Sequence, residues 1–237
     1  MNSLKFFQTP QAESSVTSIL SKFEQLKETR PEIKELEAAL SFDQLNEILS
    51  PEEKNIIEII LSIDPKQFGF RGSFLGIVAV PEDLVSLKDQ KVTVDGKIKI
   101  LPTTLVPKNV YEGYLKLKKA MKEDLGKDLL VDSGYSSSAF QVITLLNYLK
   151  MYEFDLEQTA KRVSFPGYSE HGFPPKQAID FMNSTGKPTD DSPLDFDDTD
   201  EFRWLVENAG KFGFVLSYPK DNPDGIMYEP WHWRFEG

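Results

Sequence analysis

The stretch Met227-Tyr228-Glu229-Pro230-Trp231-His232-Trp233-Arg234-Phe235-Glu236-Gly237 sets one of only two histidines, His232, three residues after Glu229 and between two of the three tryptophans. A histidine offers a metal-binding nitrogen. A nearby carboxylate that is not itself a ligand can take a proton from a metal-bound water. Two parts of a hydrolytic zinc site therefore sit in one short segment, and the remaining ligands must come from elsewhere in the chain.

The second histidine lies in Gly167-Tyr168-Ser169-Glu170-His171-Gly172-Phe173-Pro174-Pro175-Lys176-Gln177-Ala178-Ile179-Asp180-Phe181, a turn-rich segment running into a short apolar stretch that holds an aspartate. His171, Asp180 and His232 supply two imidazoles and a carboxylate. Three protein ligands leave a fourth tetrahedral position open to water, as in catalytic zinc sites. Glu229 is then the expected general base.

These residues resemble the zinc D-alanyl-D-alanine carboxypeptidases and dipeptidases, a family that includes vancomycin-resistance enzymes and is related in fold to lysostaphin-type peptidases and the hedgehog signalling domain. That family pattern has Ser-x-His, then Ala-x-Asp, then Glu-x-Trp-His. It is met in order by Ser169, His171, Ala178, Asp180, Glu229, Trp231 and His232. Ser133-Gly134-Tyr135 with Gln141 downstream, and Gly213-Phe214-Val215-Leu216 leading to Tyr218-Pro219, extend the resemblance from about Val110 onward. The resemblance implies a small central antiparallel sheet flanked by helices, a Zn2+ cofactor, and a small D-amino-acid-containing peptide, peptidoglycan-derived, as substrate. It also implies substrate-binding or supporting roles for Tyr135, Ser136, Gln141, Ser169 and Trp231, with Arg234, Arg162 or Lys176 as candidates to stand in spatially for family arginines that this chain lacks. Two departures stand out. Ser136 and Ser217 occupy positions where the family carries arginine, and His171 and Asp180 are nine residues apart where seven is usual, with Lys176 replacing a glycine.

Composition narrows the partners. Hydrophobic content of 40% with 27% charged residues is that of an ordinary globular chain. A formal charge of -11 argues against nucleic acid held on a general basic surface, while leaving a small peptide open. With no cysteine, thiolate zinc sites and disulfides are excluded. No segment approaches about 18 uninterrupted apolar residues, so no transmembrane segment is expected. The start, Met1 to Pro10, lacks an apolar run of signal-peptide length. The expectation is a soluble, cytoplasmic protein as numbered, or a cell-envelope protein if a leader was removed. Nothing in the sequence addresses oligomeric state.

Along the chain, Val16, Ile19, Leu20, Phe23 and Leu26 have one-face helical spacing, ended by Pro31. Further helical turns run through Ile33, Leu36 and Leu40 and from Ser41 toward Leu49. Ser50-Pro51-Glu52-Glu53 reads as a capping box opening another helix. Phe74 to Val80 suggests a strand, and Val92 to Ile100, with Asp95-Gly96 at its turn, a hairpin. Asn109 is expected to cap a helix stopped by Gly126. A short strand at Leu129-Leu130-Val131, helices through Val142 to Leu149 and Leu156 to Arg162, and a strand holding Asp180 follow. Residues 184–200 read as a mobile loop with a solvated acidic run, a helix runs through Phe202 to Ala209, Phe214-Val215-Leu216 is a strand, and Asn222 to Gly225 form a turn. The class is α+β. The expected division is a helical segment, 1–70, packed on a catalytic domain, 71–237.

The leading expectation is a zinc metallopeptidase of the D,D-carboxypeptidase type. A non-catalytic or altered-specificity binding protein keeping the fold, and a cell-wall endopeptidase, are the alternatives, both motivated by Ser136 and Ser217. Trp231, Trp233, Tyr135 and Tyr168 are open between core packing and substrate contact.

Overall fold

Short polar caps and prolines at first helical positions open most of the early helices, so the element order follows closely from local chemistry. The computed structural model describes residues 3–189, 192–222 and 226–237. Its elements are α1 (Ser3–Phe6), α2 (Pro10–Thr29), α3 (Pro31–Glu35), α4 (Phe42–Ile48), α5 (Pro51–Ser62), β1 (Leu84–Leu87), β2 (Lys91–Val94), β3 (Lys97–Ile100), β4 (Thr104–Pro107) and α6 (Lys108–Leu125). They continue with β5 (Leu129–Ser133), α7 (Ser138–Met151), α8 (Leu156–Ala160), β6 (Ala178–Asn183), α9 (Asp200–Asn208), β7 (Phe214–Leu216) and β8 (His232–Phe235). They fall into two compact units, one formed by Met1–Val80 with Ser136–Gly172, the other by Pro81–Tyr135 with Phe173–Gly237.

In the first unit, Thr9 accepts the Ala12 N–H to cap α2, and Ser41 and Ser50 each make both halves of a capping box, with Gln44 and Glu53. Val16, Ile19, Leu20, Phe23 and Leu26 of α2 join Leu45, Ile56, Ile57 and Ile60 in one core. That core also takes in Val142, Leu145, Leu146 and Leu149 of α7. A helix apolar on most of its circumference needs such cover. The strand expected over Phe74 to Val80 does not form: the run carries no regular structure, Phe74 is 58% exposed and Gly76 has φ 111°. Among the described residues its backbone ties are two N–H groups, of Leu75 and Gly76, sharing the Gly167 carbonyl, which is too little for a ladder.

The second unit is organised by an antiparallel sheet in the order β5-β6-β8-β7. Ile179, Phe181, Phe214 and Trp233 point from it into a core completed by Val110, Tyr114, Leu117 and Met121 of α6 and Phe202 and Leu205 of α9. The hairpin β2–β3 forms as expected, with Asp95 and Gly96 at φ 52° and 71°, the left-handed pair that a two-residue turn needs. Helix α6 begins at Lys108 after Pro107, so Asn109 is inside the helix and caps nothing; Gly126 closes it in the left-handed conformation, as expected. A second pair, β1 with β4, was not expected. All four β4 residues are buried, which erases the alternation that marks a strand. Phe196, within the stretch read as a mobile loop, is fully buried against Phe202. Asp190 and Asp191 of its acidic run, and Pro223 to Gly225 of the expected turn, lie outside the described residues.

Candidate metal centre

Strand alternation separates the sheet's two faces. On β6, Ile179 and Phe181 enter the core, leaving Asp180 on the other face; on β8, Trp233 enters the core and His232 and Arg234 take the opposite face. Asp180 and His232 are direct cross-strand partners, and Ala178 faces Arg234. Side chains so paired start about 5 Å apart at Cβ. Here they meet, with His232 Nδ1 2.9 Å from Asp180 Oδ1 and His232 4% exposed.

Glu229 reaches the same point by a tight turn. The His232 N–H donates to the Glu229 carbonyl at 3.1 Å, closing a four-residue turn with Pro230 at its second position, where a fixed φ is favourable. The Trp233 indole N–H donates to the Pro230 carbonyl at 2.9 Å and pins that turn to the core. Glu229 Oε2 then lies 3.8 Å from His232 Nδ1. The three-residue spacing is therefore that of a β-turn and not of one helical face.

His171 sits in a 3-10 turn, Glu170–Gly172. Its N–H donates to Ser169 Oγ at 3.3 Å, and its carbonyl accepts the Ser136 N–H at 2.9 Å. Gln141 is 6% exposed; its Nε2 donates to the Ser136 carbonyl at 2.8 Å and its Oε1 accepts the Gly167 N–H at 3.3 Å. A Cβ on Gly172 would strike this Gln141 amide. Thus Ser136, Gln141 and Ser169 hold the turn that carries His171.

His171, Asp180 and His232 form a group able to hold a metal ion, each offering one ligand atom, all within 4.8 Å of one another. Tetrahedral zinc with bonds of about 2.0–2.2 Å separates its donors by roughly 3.4 Å, and the paired Asp180 and His232 atoms, 2.9 Å apart, are near that spacing. Two imidazoles and a carboxylate suit zinc as donors.

Tyr135 is 2% exposed, and burial pushes its hydroxyl up to about 12, so it is a neutral phenol at ordinary pH. Its N–H donates to the Leu105 carbonyl at 2.6 Å, and no Cβ fits at Gly134 because the same carbonyl stands there. Trp231 is half-buried against the second unit's core and its carbonyl accepts the Phe181 N–H at 2.9 Å; Trp233 is a core residue. Arg234 pairs with Glu236, Nε to Oε1 at 2.7 Å. In the sequence Tyr218 stands out only as part of a Tyr-Pro pair. Its ring stacks on the His232 imidazole, centroids 4.8 Å apart, and its carbonyl accepts the Glu229 N–H at 3.1 Å. Only the three-dimensional pairing reveals that role, since tyrosine before proline carries no ligand chemistry.

Residues 103–237, more than half of the chain, match the VanY family of D-alanyl-D-alanine carboxypeptidases. The chain belongs to this family. A relative named putative carboxypeptidase YodJ, of Bacillus subtilis, is 30% identical over 199 residues, covering 82% of this chain and 64% of the relative. The solved structure of the LdcB LD-carboxypeptidase, described in terms of peptidoglycan recognition, has a TM-score of 0.53 at 25% identity, covering 73% of this chain and 78% of that one. A structure of the vancomycin-resistance D,D-pentapeptidase VanY in complex with Zn(II) is 26% identical at a TM-score of 0.44, covering 56% and 74% of the two chains. The chain spans less than two thirds of the length of the curated relatives it matches. No described helix of this VanY-family chain is long and apolar enough to cross a membrane.

Proposed function

We propose that this chain is a zinc-dependent carboxypeptidase that removes a C-terminal D-residue from small peptides of the peptidoglycan type. The observation that carries this reading is the convergence on His232 of Asp180, from the paired strand, and Glu229, from the proline turn. His171, Asp180 and His232 would hold the ion; zinc there supplies Lewis-acid chemistry, acidifying a water and polarising a carbonyl.

The rest falls to the chain's own groups. Glu229 is the general base: its carboxylate accepts the proton given up by the attacking water and returns it to the departing amine. Tyr218, stacked on the His232 ring, and Ser169 and Gln141, which hold the His171 turn, keep the ligands in place. Arg234 shares the sheet face of His232 one pair along the strand and is the cation assigned here to the substrate carboxylate. Tyr135 is assigned to packing beneath that site and Trp231 to its rim.

The test is zinc stoichiometry together with turnover of an acyl peptide ending in D-Ala-D-Ala and of the matching L,D-peptide. Wild type should bind about one zinc and release D-alanine, and Glu229→Gln should keep the zinc while losing at least about 100-fold in kcat. Turnover unchanged in Glu229→Gln would sink the assignment.

A second reading, an endopeptidase on cross-linked peptides, is favoured by one observation. Ser136 and Ser217 supply no cation, and the Ser217 hydroxyl is buried with no partner among the described residues. An endopeptidase would cleave C-terminally amidated peptides as fast as free acids, whereas the carboxypeptidase reading expects them to be poor substrates.

A further inference from the structure

The backbone on the C-terminal side of Glu229 is secured by the Trp233 indole on the Pro230 carbonyl. The N-terminal side is secured by side chains that no part of the proposed chemistry uses. Tyr228 is half-buried, and its hydroxyl hydrogen-bonds the Asp197 carboxylate. Lys220 Nζ lies 2.8 Å from the same carboxylate, at Oδ2, and 4.8 Å from the centre of the Tyr228 ring. Asp197 is itself immobilised: its N–H donates to the Leu194 carbonyl at 3.0 Å, and it directly follows Phe196, whose ring is fully buried.

Exposure argues against stability as the purpose. The Lys220 side chain is 68% exposed and that of Asp197 27%, a pair of the kind that contributes little to folding. Yet both groups are arranged around one residue, Tyr228, adjacent to Glu229. The Glu229 N–H is fixed on the Tyr218 carbonyl and the peptide joining Tyr228 to Glu229 is planar, so the backbone torsions at Tyr228 are a freedom that would shift Glu229 relative to His232. Holding the Tyr228 ring from both its hydroxyl and its face removes that freedom.

We propose that Asp197, Lys220 and Tyr228 form a clamp that fixes the direction in which Glu229 presents its carboxylate, which makes Tyr228 and Asp197 positioning residues for the base. This rests on the reading of Glu229 as general base given above. The phenol's burial and its contact with the Asp197 carboxylate hold it above its ordinary value, so it remains a donor throughout the neutral range. Burial works to raise the Asp197 carboxyl, but Lys220 and Tyr228 outweigh it and keep the group low, hence anionic and able to accept.

The experiment compares wild type, Tyr228→Phe and Asp197→Asn by amide hydrogen exchange in zinc-loaded protein and by kcat and KM on an acyl peptide ending in D-Ala-D-Ala. Tyr228→Phe keeps the ring under Lys220 and removes only the hydroxyl. Exchange at the Glu229 amide should rise about tenfold relative to that at Phe181, while zinc stoichiometry stays at wild-type level. kcat should fall about 10- to 100-fold with KM within about twofold, the pattern of a misplaced base. Asp197→Asn, which still accepts from the Tyr228 hydroxyl, should retain more kcat than Tyr228→Phe; a role confined to fold stability would not produce that rescue. Unchanged Glu229 exchange in Tyr228→Phe overturns the clamp, as does unchanged kcat in that variant of an active enzyme. An inactive wild type, or a fully active Glu229→Gln, overturns instead the reading of the base, and the exchange measurement, which needs no substrate, tells the two failures apart.

Discussion

At the scale of single residues, the metal group depends on a contact between neighbouring strands. Asp180 and His232 meet because they are opposite in register, and a slip of one residue in either strand would turn that strand's side chain into the core face and part the pair. Removing the imidazole should therefore be more costly than removing a supporting group. His232→Ala is expected to weaken zinc binding by more than about 100-fold, beyond the 10- to 100-fold usual for outer partners, as read by competition with a zinc chelator. Trp233→Phe is a different kind of loss. It keeps an aromatic ring in the core but strips the donor from the Pro230 carbonyl. A buried acceptor left unpaired costs about 1–3 kcal/mol, which urea unfolding should register. The candidate ligand types were legible in the sequence, since only two histidines exist to choose from. Tyr218 was not, because stacking on His232 depends on β7 lying beside β8.

At the scale of elements, close packing and local electrostatics decide. Gly113 lies on the buried face of α6, and a Cβ there would come 2.5 Å from Phe235 Cε2. Alanine in place of glycine would gain about 1 kcal/mol of helix propensity. The Phe235 ring is held by Phe214, centroids 5.0 Å apart, so overpacking should cost about 1–3 kcal/mol and prevail. Gly113→Ala should consequently lower the melting temperature; a rise would show that the helix can move away. In α5, Glu53 is 4% exposed and accepts from Ser18 Oγ and Lys22 Nζ, both at 2.6 Å, and from the Ser50 N–H at 2.7 Å. Burial alone would raise its carboxyl, but these three bonds together bring it below 4.5. A depressed folded value means that the unfolded chain binds more protons between the two values, so stability rises with pH there. Glu53 thus contributes fully above its unfolded value and loses that contribution as pH falls through the lower folded one. Glu53→Gln should flatten the acid side of the stability curve below about pH 4.5, measured by denaturant midpoints at stepped pH.

At the scale of the whole molecule, the described residues build two large hydrophobic cores and a small third cluster around Val92, Leu130 and Met182, and the chain is not cut once in sequence to do so. Residues 136–172 belong with 1–80, and α7 shares its apolar surface with α2, α4 and α5. A fragment of residues 71–237 would expose Val142, Leu145, Leu146 and Leu149 to water. It should bind a hydrophobic dye and lack a cooperative melt; a sharp transition near that of the full chain would contradict this. The net charge of -11 bears on solubility and partner choice and leaves the fold to burial.

The sequence by itself determined what acts through near neighbours. Capping boxes at Ser41 and Ser50, the Asp95-Gly96 turn, the left-handed stop at Gly126 and the strand alternation around Asp180 each depend on contacts a few residues away. It also determined the donor set, because residue type fixes which atoms can bind zinc. The tertiary structure alone decided the β1–β4 pair, the failure of residues 74–80 to form a strand, and the joining of α7 to the N-terminal helices. It likewise decided that a proline turn and a cross-strand pair, rather than a helix face, bring Glu229 and Asp180 to His232. In each of these cases the partner is remote in sequence, and the free energy comes from burial and backbone pairing that no short window of residues contains.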